Sequence, residues 1–180
     1  MKTNLKARKT ALLGILAAEA LALSFLEGLL PPLVPVPGIK PGFSNIVTMF
    51  AVSTLGFSSG LAVTLFKAFF ALITRGLTAS LMSLAGGMLS LLAMALLFRS
   101  NRLGCIGIGV ISALMHNAGQ LICAFFILGK SMLALAPVLA AAAAATGVLT
   151  GTVFKYTSRA LLKQSNIFIK PAGSYPANKE

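Results

Sequence analysis

The chain contains no aspartate and no tryptophan, and only one histidine and two cysteines among its 180 residues. Its acidic residues are Glu19, Glu27 and the terminal Glu180. A hard cation needs several oxygen ligands close together, and three scattered glutamates make no such cluster. Cys105 and Cys123 fall on one predicted helix, about 27 Å apart at 1.5 Å per residue, beyond disulfide reach and too few for a metal site. There is no Walker A loop, so this chain cannot itself hydrolyse ATP. No catalytic residue, metal or cofactor is expected.

What is abundant is apolar. The chain is 57% hydrophobic and only 10% charged, with mean hydropathy +0.93, far from the balance of a soluble domain. The expectation is an all-α integral membrane protein built as a single bundle. The formal charge of +12 would suggest nucleic acid in a soluble protein. Here the Lys and Arg gather at the ends of apolar runs, as they do on cytoplasmic flanks of membrane helices. The partner they imply is lipid, with Arg159 and Lys163 meeting anionic headgroups, and no nucleic acid.

Apolar runs place six spans at 11–30, 44–57, 60–75, 78–98, 104–128 and 133–154. The second and third, read as one helix, would be roughly 45 Å long against a hydrocarbon core of about 30 Å, so a break is placed at Phe57 to Gly60. Eleven basic residues then face the cytoplasm and three (Lys40, Arg75, Lys130) face outside, with Lys67 inside the third span. Five spans would erase that bias. The expected layout in the cell membrane is a basic cytoplasmic N-terminus at 1–10, a multi-pass domain at 11–156 and a basic cytoplasmic tail at 157–180, partly disordered. The proline-rich segment between Pro31 and Pro41 forms the first external loop.

Polar residues within the spans carry the functional reading, because each needs a partner in the protein, a water or a ligand. His116, Asn117 and Gln120 sit on adjoining faces of the fifth span, and Glu27 and Asn45 end at the same outer surface, with Ser80 and Ser83 nearby. This set is the candidate ligand-binding site; the alternative is that these groups only bridge helices. Lys40, Arg75 and Lys130 ring its mouth and favour a small solute with an anionic group. Glu19 and Lys67 lie at one depth from the cytoplasmic side, which suggests an intramembrane ion pair. Gly14, Ala18 and Ala22 recur every four residues, a flat strip for close helix contact, either internal or with a partner subunit.

The segment PGIKPGFSNIVTMFAV at 37–52 resembles a conserved motif of the Gx transporter family, also named heptaprenyl diphosphate synthase component I. SALMHNAGQL at 112–121 is similar to that family's histidine-containing helix. The likeness covers roughly residues 8–160, with Pro41 and Phe43 departing from the usual leucines. The family is similar in its six-helix plan to the substrate-binding S components of energy-coupling-factor (ECF) transporters. The resemblance implies a membrane-embedded subunit that captures a small solute for uptake. A separate coupling subunit and its ATPases would supply the energy, with Gly14, Ala18 and Ala22 as the docking strip. The synthase name implies another role, a non-catalytic accessory or scaffold in prenyl diphosphate or quinone biosynthesis or membrane electron transfer. Catalysis by this chain is not expected under that name, because prenyl synthases bind magnesium and diphosphate through aspartate clusters.

Overall fold

The computed structural model describes residues 2–29, 40, 42–100 and 102–163. Among them the chain is all helical, in five α-helices: α1 (Lys2–Leu29), α2 (Asn45–Leu55), α3 (Phe57–Ser100), α4 (Cys105–Leu128) and α5 (Ala136–Lys163). A 3-10 helix, Lys130–Leu135, leads into α5. Four stretches are long and apolar enough to cross a membrane: Lys6–Leu29, Phe57–Ser100, Cys105–Leu128 and Lys130–Ala160. The fold is that of a helical membrane protein.

Five helices replace the six expected. The span expected at 44–57 is the 11-residue α2, roughly 16 Å long and too short to cross the hydrocarbon core alone. The break expected at 57–60 falls at Gly56, and Phe57 already begins α3. The spans expected at 60–75 and 78–98 are one 44-residue element, interrupted only by the non-helical Gly76 at φ 82, ψ −178. The basic segment 1–10 forms the start of α1, and the tail is helical to Lys163. The proline-rich loop, apart from Lys40, and the tail beyond Lys163 lie outside the described residues.

Gly76 is a reversal. Ser80 Oγ donates to the carbonyl of Ala68 at 2.8 Å, although residues twelve apart on a straight helix are roughly 18 Å apart. Farther along, a Cβ on Gly87 would stand 2.7 Å from Thr64 Cγ2, and one on Gly60 would stand 2.7 Å from Leu91 Cδ1. The two limbs of α3 therefore pack antiparallel. Gly56 at φ 94, ψ 178 turns α2 back on α3 in the same way. Positive φ with ψ near 180° is a region that essentially only glycine enters, so single residues suffice as corners.

α4 is the central helix, packed most extensively against α5 and α3. Backbones approach closely there: a Cβ on Gly109 would meet the Gly147 carbonyl at 2.4 Å, and one on Gly119 would meet the Ala85 carbonyl at 2.6 Å. Small residues permit such contacts where lipid supplies no hydrophobic drive between helices. Met49, Met94, Cys105, Ile108 and Phe154 pack together toward the end of the bundle where α3 passes into α4. Phe154 stacks tilted on Phe50 with ring centroids 4.7 Å apart. The end that carries the Gly76 corner is polar inside.

Candidate functional site

The site begins at the N-terminus of α2. That helix has no side-chain cap of its own, and the first backbone N–H groups of a helix need acceptors. Glu27, in the last turn of α1, supplies one: its Oε1 accepts the Ser44 backbone N–H at 2.7 Å, and its Oε2 accepts from Ser44 Oγ at 3.4 Å. A carboxylate here also complements the positive end of the helix dipole. The next residue, Asn45, turns its Oδ1 to Lys67 Nζ at 3.1 Å.

Lys67 is 4% exposed, and among the described residues Asn45 Oδ1 is its sole hydrogen-bond acceptor, which leaves two of the ammonium's three donors unmatched. No ion pair joins it to Glu19, which lies on the exposed face of α1. The expected pairing is corrected by the reach of the lysine stem. A depth measured at Cα ignores several ångströms of side chain, and Lys67 extends that length to Asn45 rather than across to Glu19. The carboxylate that does act on Lys67 electrostatically is Glu27.

From α4, Gln120 Oε1 accepts the Lys40 backbone N–H at 3.3 Å, which fixes the amide so that its Nε2 faces His116 Nε2 at 3.1 Å. An amide nitrogen can only donate, so His116 Nε2 is an acceptor and the imidazole is neutral, with its proton on Nδ1. The ring is wedged between two glycines: a Cβ would stand 3.0 Å from its Cδ2 at Gly42, where φ is +85, and 3.0 Å from its Cε1 at Gly86. Lys40 Nζ donates to the Ser24 carbonyl and Arg75 Nη2 to Ser24 Oγ, so two cations converge on one turn of α1. Burial, and next the Arg75 charge, push the Lys40 amine down to about 8 from its ordinary 10.5, against the pull of Glu27.

These groups line a narrow cleft. Of the residues expected at the site, Glu27, His116 and Gln120 line it, and Asn45 is bound to its Lys67. Asn117 does not join them. It points to the other side of α4 and donates Nδ2 to the Leu139 carbonyl of α5 at 2.9 Å, a helix bridge. Of the cations expected at the mouth, Lys40 and Arg75 line the cleft and Lys130 does not. Lys67, Ser24 and Ser44 are lining residues that the sequence reading did not assign to the site. Ser24 had a signal, lying three residues before Glu27 on the same face of α1. Among the described residues no group of three His, Cys or Glu side chains could hold a metal ion. Gly14, Ala18 and Ala22 all lie on the exposed face of α1.

The helices and the cleft define an all-α membrane protein with a cation-rich polar chamber at one end of its bundle. Residues 16–157 match the heptaprenyl diphosphate synthase component I family, and the chain belongs to it. Comparison with curated proteins and with solved structures returns no match.

Proposed function

We propose that the protein is a membrane-embedded, substrate-binding subunit, similar to an S component, which takes up a small anionic solute from outside the cell membrane. The observation that carries this reading is the cleft, where Lys40, Lys67 and Arg75 face the single carboxylate of Glu27. Burying a lysine that has one hydrogen-bond acceptor among the described residues costs several kcal/mol in desolvation, which a bound anion would offset. Ligand-binding roles fall to Glu27, Asn45, His116 and Gln120, joined by Lys67 and Arg75. Asn117 holds α4 to α5.

In this reading the limbs of α3 cross the bilayer separately, and α2 enters it as a further, shorter segment. The chain makes six traverses, with both termini cytoplasmic. Transport would need energy from elsewhere, and the exposed strip of Gly14, Ala18 and Ala22 is a face on which a coupling subunit with its ATPases can dock. The second reading rests on the family name. A component I implies a second component, and a non-catalytic scaffold for that partner would use the same exposed helix face. Mass spectrometry of small molecules retained through gentle purification tests the preference. An anionic solute present in wild type and lost in Lys67→Met supports solute capture; a copurifying synthase subunit without any Lys67-dependent solute favours the scaffold.

A further inference from the structure

We infer that the cleft is a seat for one compact tetrahedral oxyanion of the phosphate class that keeps a P–OH proton: the hydrogen phosphate dianion, or a phosphomonoester in its singly protonated form. The inference rests on the solute-binding reading and narrows it by charge, polarity and shape.

Three cations and one carboxylate line the cleft, leaving two positive charges in excess. Inside a membrane bundle such an excess is offset best by a ligand of charge −2. Among the described residues the lining side chains are polar, from Ser24 and Ser44 to Ser83, His116 and Gln120, and an apolar ring or hydrocarbon tail would desolvate them without return.

The charges also converge. Lys40 and Arg75 both bind Ser24, Lys40 is repelled by Arg75 and Lys67, and Glu27 attracts all three cations. A dicarboxylate carries its two charges on separate ends and matches a convergent cluster poorly. A tetrahedral oxyanion concentrates them on adjacent oxygens, and Lys and Arg donors fit those oxygens. Glu27 decides among such anions. A fixed carboxylate repels sulfate, which has no proton to offer, but accepts a hydrogen bond from the P–OH of hydrogen phosphate. Lys67, whose hydrogen-bond acceptor among the described residues is Asn45 Oδ1 alone, has further donors for the anion.

The test is thermal unfolding of the purified full chain in detergent at about pH 7.5, where inorganic phosphate is mainly the hydrogen phosphate dianion. Inorganic phosphate, sulfate and succinate are titrated at constant ionic strength. Saturable stabilisation by phosphate is expected, with sulfate needing at least about tenfold higher concentration, because the buried carboxylate repels an anion that has no proton to share. Succinate is expected to give no shift. Lys67→Met should abolish the phosphate effect and Lys130→Met, on an exposed residue off the cleft, should keep it. Should Lys67→Met fail to fold, Glu27→Gln carries the test, since an amide donates to either anion and should bring phosphate and sulfate close to parity. Lipid bicelles with and without phosphatidic acid separate the sources. A bicelle effect competed by phosphate assigns a lipid headgroup, and phosphate binding unaffected by the lipid assigns the free anion. Succinate stabilising as well as phosphate, in a Lys67-dependent manner, overturns the oxyanion seat and leaves solute capture standing. A Lys67-dependent retained solute with no response to any of the three probes does the same. No response to any probe, with no solute retained, overturns both.

Discussion

Two amides three residues apart on α4 serve different ends. Asn117 is a bridge to the Leu139 carbonyl, and its own Oδ1 is buried without a partner among the described residues. Asn117→Leu removes one hydrogen bond and one unmatched acceptor together, so the loss of stability should be small, about 0.6 kcal/mol. Solute affinity should not change. Gln120→Leu frees the Lys40 backbone and the His116 ring, and should weaken solute binding about tenfold or more. Thermal unfolding with and without the retained solute separates the two; lost ligand stabilisation in Asn117→Leu would return that residue to the site. Lys40 supplies a pH signature. Burial lowers its folded value to about 8 from 10.5, so between those values the unfolded chain binds more protons than the folded one. Stability of the unliganded protein should therefore rise with pH across that window. Anion affinity should move oppositely and fall above about pH 8 as the ammonium is lost. Lys40→Met should flatten both profiles, and a wild-type anion affinity unchanged from pH 7 to 9 would remove Lys40 from the binding site.

At the scale of elements, glycine does two jobs that the same residue type conceals. Gly76 is a corner: a Cβ there would meet nothing, and only its φ of +82 excludes other residues. Gly76→Ala should cost about 1–3 kcal/mol through backbone strain alone. Gly109 is a crossing: its Cβ would stand 2.4 Å from the Gly147 carbonyl, and Gly109→Ala should cost about 1–3 kcal/mol or more by forcing α4 from α5. Gly14, where a Cβ would meet open space, is the control, and Gly14→Ala should leave the unfolding temperature nearly unchanged. Equal losses at Gly14 and Gly109 would refute this division. The sequence carried the apolar runs, and the boundary read between 75 and 78 falls at the Gly76 kink. The helix count differs because residues 57–100 form one element with a non-helical corner at Gly76, whose two limbs fold back on each other. Hydropathy did not reveal how short α2 is, since its N-terminus is set by Glu27, seventeen residues earlier and on another helix. His116 and Gln120 were legible as rare polar groups in an apolar run. The placing of Lys67 was not, because its partner depends on where a long flexible side chain ends.

Across the whole molecule, the proposed orientation and partners can be tested through charge and helix faces. Lys130 follows the Gly129 corner and is exposed, on the side assigned to the exterior. In a variant lacking Cys105 and Cys123, Lys130→Cys should react with an impermeant thiol reagent on intact cells, and Lys179→Cys only after permeabilisation. The reverse pattern would invert the topology and place the cleft on the cytoplasmic side. The same bundle leaves α1 half-covered. Leu16, Ala20, Ser24 and Glu27 form its buried stripe, spaced as one face of a helix, while Gly14, Ala18 and Ala22 lie on the opposite, exposed side with Ile15 and Phe25. If that face docks a coupling subunit or a second synthase component, a bulky side chain should hold the partner's backbone away without touching the core. Ala18→Leu should then leave thermal stability within about 0.5 kcal/mol of wild type, as expected of a surface change, and leave solute binding intact. Copurification with the partner should fail. Normal copurification of Ala18→Leu would mean the strip faces lipid, and loss of both stability and copurification would mean that it packs within this chain.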